Sequence, residues 1–382
     1  MLLVVGGRGL PIPAEPGSAA ATAPANHQRL AELLAAVAPV DEGAAAAARQ
    51  RHRQLAKPPG SLGHLEEVGC QLAAIAGRCP PPVPVAPALV VAAADHGVHA
   101  RGVSDWPQAV TRAMVSTVAA GEASVSAIAR ATGARVLVLD VGTAGDGPVP
   151  AGVRDARVRR ATGDLSREPA MTAAECRTAI EAGAAAAREL LAAGADLLAT
   201  GDLGIGNTTA TACLIAAYTG AAPASVTGRG ANLDDARVPQ KVRLIEQALA
   251  RPRDPDDPLA TLASLGGLEH AALVGVILAG AAARVPVVLD GVIAGAAALA
   301  AVVICPASAG YLIAGHTSAE PGARIVLDRL GRRALLDLGM RLGEGTGAVL
   351  AVPLVQAAAR VLAETATIEA VLSRTEAAVG GS

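Results

Sequence analysis

The chain has 382 residues, of which 52% are hydrophobic and only 1% aromatic, and its formal net charge is −2. This charge gives no general attraction to nucleic acid or to an anionic membrane surface, so neither is expected as a partner. Phenylalanine is absent, and alanine, valine, leucine and glycine must therefore fill the core. Such small side chains suit closely packed layers of helix and sheet.

The cysteines and the N-terminal residues indicate the compartment. Five cysteines are scattered along the chain without a CxxC pair. This pattern favours neither a disulfide framework nor a zinc site, and it is typical of a reducing compartment, so we predict a cytoplasmic protein. The start lacks the basic region and the long apolar stretch of a signal peptide. We predict that residues 1–25 are a disordered extension.

The two ends of the chain carry helical patterns. Residues 26–50 and 64–77 are predicted helices, and KPPGSLG at 57–63 separates them because its prolines and glycines end a helix. Helical patterns return near the C-terminus. We predict that residues 26–80 and 350–382 together form a small helical domain.

Between these ends, short apolar runs alternate with helical stretches. This alternation predicts an α/β fold over residues 81–349, with a Rossmann-like, doubly wound parallel sheet covered by helices on both faces. Ligands of such folds bind at the carboxyl ends of the strands. The acids there are candidates for one crevice, or else for helix caps and turns. The runs are 88–95, 135–142, 195–202 and 285–291, and the acids are Asp95, Asp140, Asp202 and Asp290.

One uncharged stretch, residues 291–315, is long enough to cross a bilayer. Asp290 and Pro306 interrupt it, and glycine and alanine make it weakly hydrophobic. We therefore favour a buried segment of the α/β fold over a membrane span.

The stretch GDLGIGNTT, residues 201–209, lies between an apolar run and an alanine-rich helical stretch. It lacks the lysine of a Walker A loop, and Thr209 stands where a dinucleotide fingerprint needs its third glycine. Its glycines allow an anion to approach the N-terminus of a helix, and Thr208 or Thr209 adds a hydroxyl. The pattern favours a phosphate site over a plain tight turn.

Three other features leave their role open. His96 and His99 have no third ligand at metal spacing, so we predict no metal site. Trp106 is a candidate either for an apolar wall against a flat ring or for core packing. Glu344, between two glycines in RLGEGTG, is a candidate general base or helix cap. The local pattern around Lys241 indicates only a solvated loop charge.

Eight segments, taken in order, resemble the nicotinate-nucleotide–dimethylbenzimidazole phosphoribosyltransferase family. The resemblance covers about residues 50–365 and implies a Rossmann-like sheet, a small helical domain and a homodimer. It also implies transfer of phosphoribose from nicotinate mononucleotide to 5,6-dimethylbenzimidazole, with no metal or redox cofactor. The segments are KPPGSLGHLEEV, ADHGV continued by GVS, PQ, VT and M up to residue 114, GDLGIGNTT, GRGANLDD, GGLEHAAL, VPVVLDG, AGHTSAEPG and LLDLGMRLGEGTGAVLA.

The resemblance also implies roles for individual residues. Glu344 matches the catalytic base, and Asp202 replaces a glutamate that is usual in the family at a catalytic or substrate-binding position. The residues implied to hold phosphate and ribose are Gly204, Ile205, Gly206, Asn207, Thr208, Thr209, Lys241, Ser318 and Asp290. The implied base pocket comprises Gln108, Met114, Trp106, Leu203 and Leu342.

Departures from the family pattern leave the preferred base open. This chain has GGLE where the family usually has GGFE, and DGV where it usually has DGF. Trp106 replaces a residue that is commonly smaller or tyrosine-like. The alternative to the enzyme is a non-catalytic sensor that binds a nucleotide or a benzimidazole in the same crevice.

Overall fold

The computed structural model describes residues 23–231 and 233–379. Residues 1–22 of the predicted extension over 1–25 therefore lie outside the described residues. The described helices alternate with the strands of one sheet. They are α1 (Ala23–Ala36), α2 (Glu42–Gln54), α3 (His64–Ala76), α4 (Ala109–Ala119), α5 (Ser124–Thr132), α6 (Ala173–Ala192), α7 (Asn207–Thr219), α8 (Pro223–Val226), α9 (Val238–Ala250), α10 (Pro258–Leu265), α11 (Leu268–Ala282), α12 (Val292–Ile304), α13 (Gly322–Leu330), α14 (Thr346–Glu364) and α15 (Ile368–Val379).

Six parallel strands in the described part of the chain form one sheet, in the order β3-β2-β1-β4-β5-β6. The order reverses between β1 and β4, which places a crevice outside the carboxyl ends of these central strands. The predicted Rossmann-like α/β class is confirmed. The strands are β1 (Pro87–Ala94), β2 (Arg135–Gly142), β3 (Val153–Asp155), β4 (Leu197–Leu203), β5 (Val287–Leu289) and β6 (Leu312–Ala314).

Both faces of the sheet are covered, which explains the continuous apolar runs. β1 and β4 are buried at every residue. Alternate side chains of β1 enter two cores: Leu89 and Val91 face α3, α4, α5 and α14, while Val90 and Ala92 face the layer that contains α6, α11 and α12. A strand that is buried on both faces shows no polar alternation in its sequence.

Glycine and alanine let two helices of this layer approach closely. Gly183 of α6 lies against the backbone of Ala272 in α11, and a Cβ at Gly183 would lie 1.8 Å from the Ala272 carbonyl oxygen. Gly275 of α11 repeats the contact, since its Cβ would lie 1.9 Å from the carbonyl oxygen of Ile180. The low aromatic content is therefore matched by packing that has no room for larger side chains.

Helices from both ends of the chain meet around α2, α3 and α14, where Ala48, Cys70 and Leu362 share a small cluster. The end helices also reach the main core, because α1 packs on α6 and α14 packs on β4 and β5. The division into a helical domain (26–80 with 350–382) and an α/β domain (81–349) stays a prediction.

The uncharged residues 291–315 do not form one helix. α12 ends at Ile304, a 3₁₀ helix follows at Pro306–Tyr311, and β6 comes next. The predicted buried α/β segment is confirmed, because α12 is buried along most of its length. One described helix, α14, is long and apolar enough to cross a membrane. More than half of it is buried, and it contacts α3, α5 and the sheet, as a core helix does.

The close contact of α6 with α11 predicts that Gly183→Ala lowers the free energy of unfolding by about 2 kcal/mol, because the added methyl group overlaps the α11 backbone. Urea unfolding followed by circular dichroism measures this change. The control is Ala185→Leu, at an exposed position of the same helix, which we expect to change it by less than about 0.5 kcal/mol. Equal effects of the two substitutions would contradict the packing argument.

Candidate active site

A cavity of about 560 Å³ opens at the carboxyl ends of the central strands. A larger cavity of about 730 Å³ lies between α2, α3 and the β6 edge, but none of the predicted site residues lines it. We assign the site to the smaller cavity, since it holds the glycine turn and both predicted carboxylates, Asp202 and Glu344. Its lining includes eleven predicted residues: Trp106, Met114, Asp202, Leu203, Gly204, Ile205, Asn207, Thr208, Ser318, Leu342 and Glu344.

The glycine turn between β4 and α7 forms one side of this cavity. A Cβ at Gly204 would lie 2.3 Å from the carbonyl oxygen of Ala94, so only glycine lets β4 pass so close to β1. Gly206 has φ 98° and is the N-cap of α7, and Ile205 N donates to Thr111 Oγ1 at 3.0 Å. The cavity thus lies against the positive end of a helix, where an anion binds favourably.

Lys241 reaches this turn from α9. Its Nζ donates to Thr208 Oγ1 at 2.7 Å and to the Gly228 carbonyl oxygen at 3.0 Å, and the residue is only 1% exposed. The solvated role indicated by the local pattern is therefore wrong. Burial lowers the pKa of Lys241 to about 8, although the nearby Glu320 carboxylate favours the charged form. Lys241 lies directly behind Thr208 rather than on the cavity wall.

Glu344 faces the cavity from the loop before α14. It is 4% exposed, and its backbone has φ 63°, in the left-handed region that favours glycine. Its Oε2 is buried without a hydrogen-bond partner among the described residues. Burial, supported by the charge of Asp290, raises the pKa of Glu344 against a backbone hydrogen bond from Val125. A strained, poorly solvated acid of this kind is typical of functional sites.

Asp202 is the second predicted carboxylate that lines the cavity. Asn207 Nδ2 donates to its Oδ2 at 2.9 Å. Burial, and then the charges of Asp290 and Glu269, raise the pKa of Asp202 well above its ordinary value. Two acids with raised pKa values, Asp202 and Glu344, therefore line the cavity, and the buried side chain of Lys241 lies on the opposite side of the glycine turn.

The other strand-ending acids serve the backbone. Asp290, which the resemblance placed at the phosphate or ribose, accepts from the N–H groups of Gly345, Gly347 and Ala348 at 2.7–3.2 Å and caps α14. Asp140 accepts from Gly142 and Thr143, and Asp95 accepts from Thr111 and Ala144. Asp202 alone among these four acids lines the cavity.

The apolar wall lies at the cavity mouth. Trp106 is 50% exposed and Leu342 is 55% exposed, so both side chains have apolar surface free for a planar ring. Gln108 does not line the cavity, because its Nε2 donates to the His96 carbonyl oxygen at 3.2 Å. Thr209 and Gly206 also lie behind the lining.

The structure adds residues that sequence reasoning missed. Glu320 and Arg341 line the cavity. Each lies inside a segment that carries the family resemblance, but charge alone does not distinguish a lining residue from a solvated one. His96 Nε2 lies 3.0 Å from Glu269 Oε1, and the described residues contain no cluster of three side chains suited to a metal ion.

A family model described as DBI_PRT phosphoribosyltransferase matches residues 37–371. The chain belongs to this phosphoribosyltransferase family. A relative from Salinispora tropica, named nicotinate-nucleotide–dimethylbenzimidazole phosphoribosyltransferase, is 51% identical over an alignment of 355 residues, and the match covers 89% of this chain and 98% of that protein. A relative of the same name from Chromobacterium violaceum is 50% identical and covers 84% and 93% of the two chains.

Solved structures of the family agree with the fold. The crystal structure of CobT from Thermus thermophilus matches with a TM-score of 0.83 and 48% identity, and the match covers 86% of this chain and 98% of that one.

The left-handed backbone of Glu344 predicts an unusual order of stability. We expect Glu344→Gly to be more stable than Glu344→Ala, with a free energy of unfolding about 1 kcal/mol higher, because only the alanine variant retains the strained Cβ. Thermal and urea unfolding of the two variants measure the difference. An alanine variant that is the more stable of the two, as at an ordinary helical position, would show that Glu344 is not strained.

Proposed function

We propose that the chain transfers the phosphoribosyl group of nicotinate mononucleotide to 5,6-dimethylbenzimidazole, giving α-ribazole 5′-phosphate and nicotinate with inversion at the anomeric carbon. The observation that carries the proposal is one cavity that combines Glu344, the glycine turn and the end of α7, with Lys241 directly behind Thr208. Family membership and the names of the relatives support it.

The nucleotide phosphate is proposed to bind at the glycine turn. The N-terminus of α7 and the Lys241 ammonium favour a dianion there, and the hydroxyls of Thr208 and Ser318 offer hydrogen bonds. This places the ribose over the carboxyl end of β4, beside Asp202.

Glu344 is proposed to act as the general base. An acid with a raised pKa is a better proton acceptor, and its unpartnered Oε2 is free to take the benzimidazole N–H proton. The other ring nitrogen then attacks C1′ of the ribose while the apolar wall at Trp106 and Leu342 holds the ring.

Nicotinate leaves without a strong acid. As the bond from C1′ to the pyridinium nitrogen breaks, its electron pair neutralises the ring, so the leaving group needs no proton. Positive charge develops on the sugar, and this charge favours the ionised form of the neighbouring Asp202, which stabilises it in return. No step of this transfer requires a redox cofactor.

We also propose a cytoplasmic homodimer. All five cysteines are free thiols, in keeping with a reducing compartment. The homodimer rests on the family resemblance, and light scattering after size-exclusion chromatography tests it.

The role of Glu344 predicts that Glu344→Gln lowers kcat at least about 100-fold, because the amide cannot accept the proton, while the Kd for nicotinate mononucleotide changes less than about threefold. Chromatography of released nicotinate and of α-ribazole phosphate measures turnover. A fully active variant would remove the base assignment. A wild-type chain that binds both substrates without turnover would favour the sensor.

The lowered pKa of Lys241 predicts a pH dependence of nucleotide binding. In the free protein the ammonium loses its proton as pH rises through about 8, while the nucleotide phosphate stays a dianion. We therefore expect the Kd for nicotinate mononucleotide to rise above pH 8 in titration calorimetry. Lys241→Met should bind more weakly with a flat profile, while Arg243→Met, which removes an exposed cation from the same helix, should keep the wild-type profile. A flat wild-type profile would contradict this role.

A further inference from the structure

A chain of buried ion-pair and hydrogen-bond contacts lies beneath the cavity and contributes nothing to its lining, and within it His270 Nδ1 also accepts from the backbone N–H of Gly267 at 3.2 Å. Glu269 Oε1 lies 3.0 Å from His96 Nε2 and 2.7 Å from His270 Nδ1. His270 Nε2 lies 2.9 Å from the hydroxyl of Thr211, on the second turn of α7. Glu269 and both histidines are completely buried. The proposed mechanism uses none of these four side chains.

This group of side chains carries charge. Burial disfavours the ionised form of Glu269, but the two histidines outweigh burial and bring the pKa of Glu269 well below its ordinary value. Burial likewise disfavours protonated His96, but Glu269 outweighs it and raises the pKa of His96. A buried carboxylate without a partner is strongly unfavourable, so Glu269 depends on both histidines.

The link through His270 reaches the floor of the nucleotide site. The Thr211 hydroxyl donates to the Asn207 carbonyl oxygen at 2.9 Å, and Asn207 Nδ2 donates to Asp202 at 2.9 Å. Asn207 is the first residue of α7, where the phosphate is proposed to bind. The bonds therefore continue from Glu269 to the first turn of that helix and to an acid of the cavity.

The link through His96 supports the glycine turn from below. A Cβ at Gly204 would lie 3.5 Å from His96 Nε2, and one at Gly206 would lie 3.5 Å from the His96 Cβ. The ring of His96 thus lies directly against the turn. Glu269 therefore contacts both His96, which packs against the glycine turn, and His270, which contacts Thr211 in the helix that follows the turn.

We propose that His270 is a positioning residue for the nucleotide: through Thr211 and Asn207 it holds the first turn of α7 in the geometry that binds the phosphate. This inference rests on the proposed function, which makes that turn the phosphate site. It gives the GGLEHAAL segment a role in substrate binding without contact with substrate.

Two substitutions of His270 distinguish its contact with Glu269 from its contact with Thr211. Asparagine places an amide near the position of Nδ1 and keeps the contact with Glu269, whereas glutamine reaches the position of Nε2 and keeps the contact with Thr211. We expect His270→Asn and Thr211→Val each to raise the Kd for nicotinate mononucleotide about tenfold, and the double variant to add little, because both break the same bond. His270→Gln should restore most of the affinity.

Titration calorimetry with nicotinate mononucleotide alone measures these Kd values, and steady-state kinetics should show a raised KM for the nucleotide with an unchanged KM for dimethylbenzimidazole. The control is Val276→Ala, a buried position on α11, which should lower Tm without changing the Kd. Variants that lose Tm but bind the nucleotide within about twofold of wild type would overturn the proposal.

The binding measurement also separates this proposal from the proposed function. A wild-type chain that binds the nucleotide but releases no nicotinate would refute the reaction, while the comparison of Kd values would still decide the positioning role. A wild-type chain that does not bind the nucleotide would overturn both.

Discussion

The site depends on the close approach of other segments to the carboxyl end of β4. A Cβ at Gly201 would lie 2.4 Å from the carbonyl oxygen of Glu344, and a Cβ at Gly204 would lie 2.3 Å from that of Ala94. Only glycine permits contacts of backbone on backbone at these distances. Because these segments meet, Glu344 and Asp202 share one cavity although 142 positions of the chain separate them.

The close approach of these segments brings several buried carboxylates near one another, and their surroundings differ. Asp290 accepts three backbone N–H groups at the start of α14, and Glu269 lies between two histidines. Asp202 and Glu344 have fewer donors, so burial raises the pKa of each. Two acids with raised pKa values, Asp202 and Glu344, therefore face the cavity, while Lys241 supplies positive charge behind the glycine turn.

The sequence predicted the centre of the sheet better than its edges. The runs at 88–95, 135–142, 195–202 and 285–291 correspond to β1, β2, β4 and β5, because strands buried on both faces are continuous and apolar. The edge strand β3 is partly exposed and gives no continuous apolar run, and β6 lies inside the uncharged residues 291–315, where the sequence pattern does not separate strand from helix. The sequence also predicted the glycine turn as an anion site and Glu344 as a candidate base, since each is marked by its immediate neighbours.

The sequence by itself determined the fold class, the order of the motifs and the family, because apolar runs and glycine turns are properties of contiguous residues. Only the tertiary structure decided which charged groups are buried and what they contact. Lys241 meets Thr208 across 33 positions, and His96 meets Glu269 across 173. Burial and partners of this kind arise from packing between distant segments, and they control the charge of a side chain more strongly than its neighbours in sequence do.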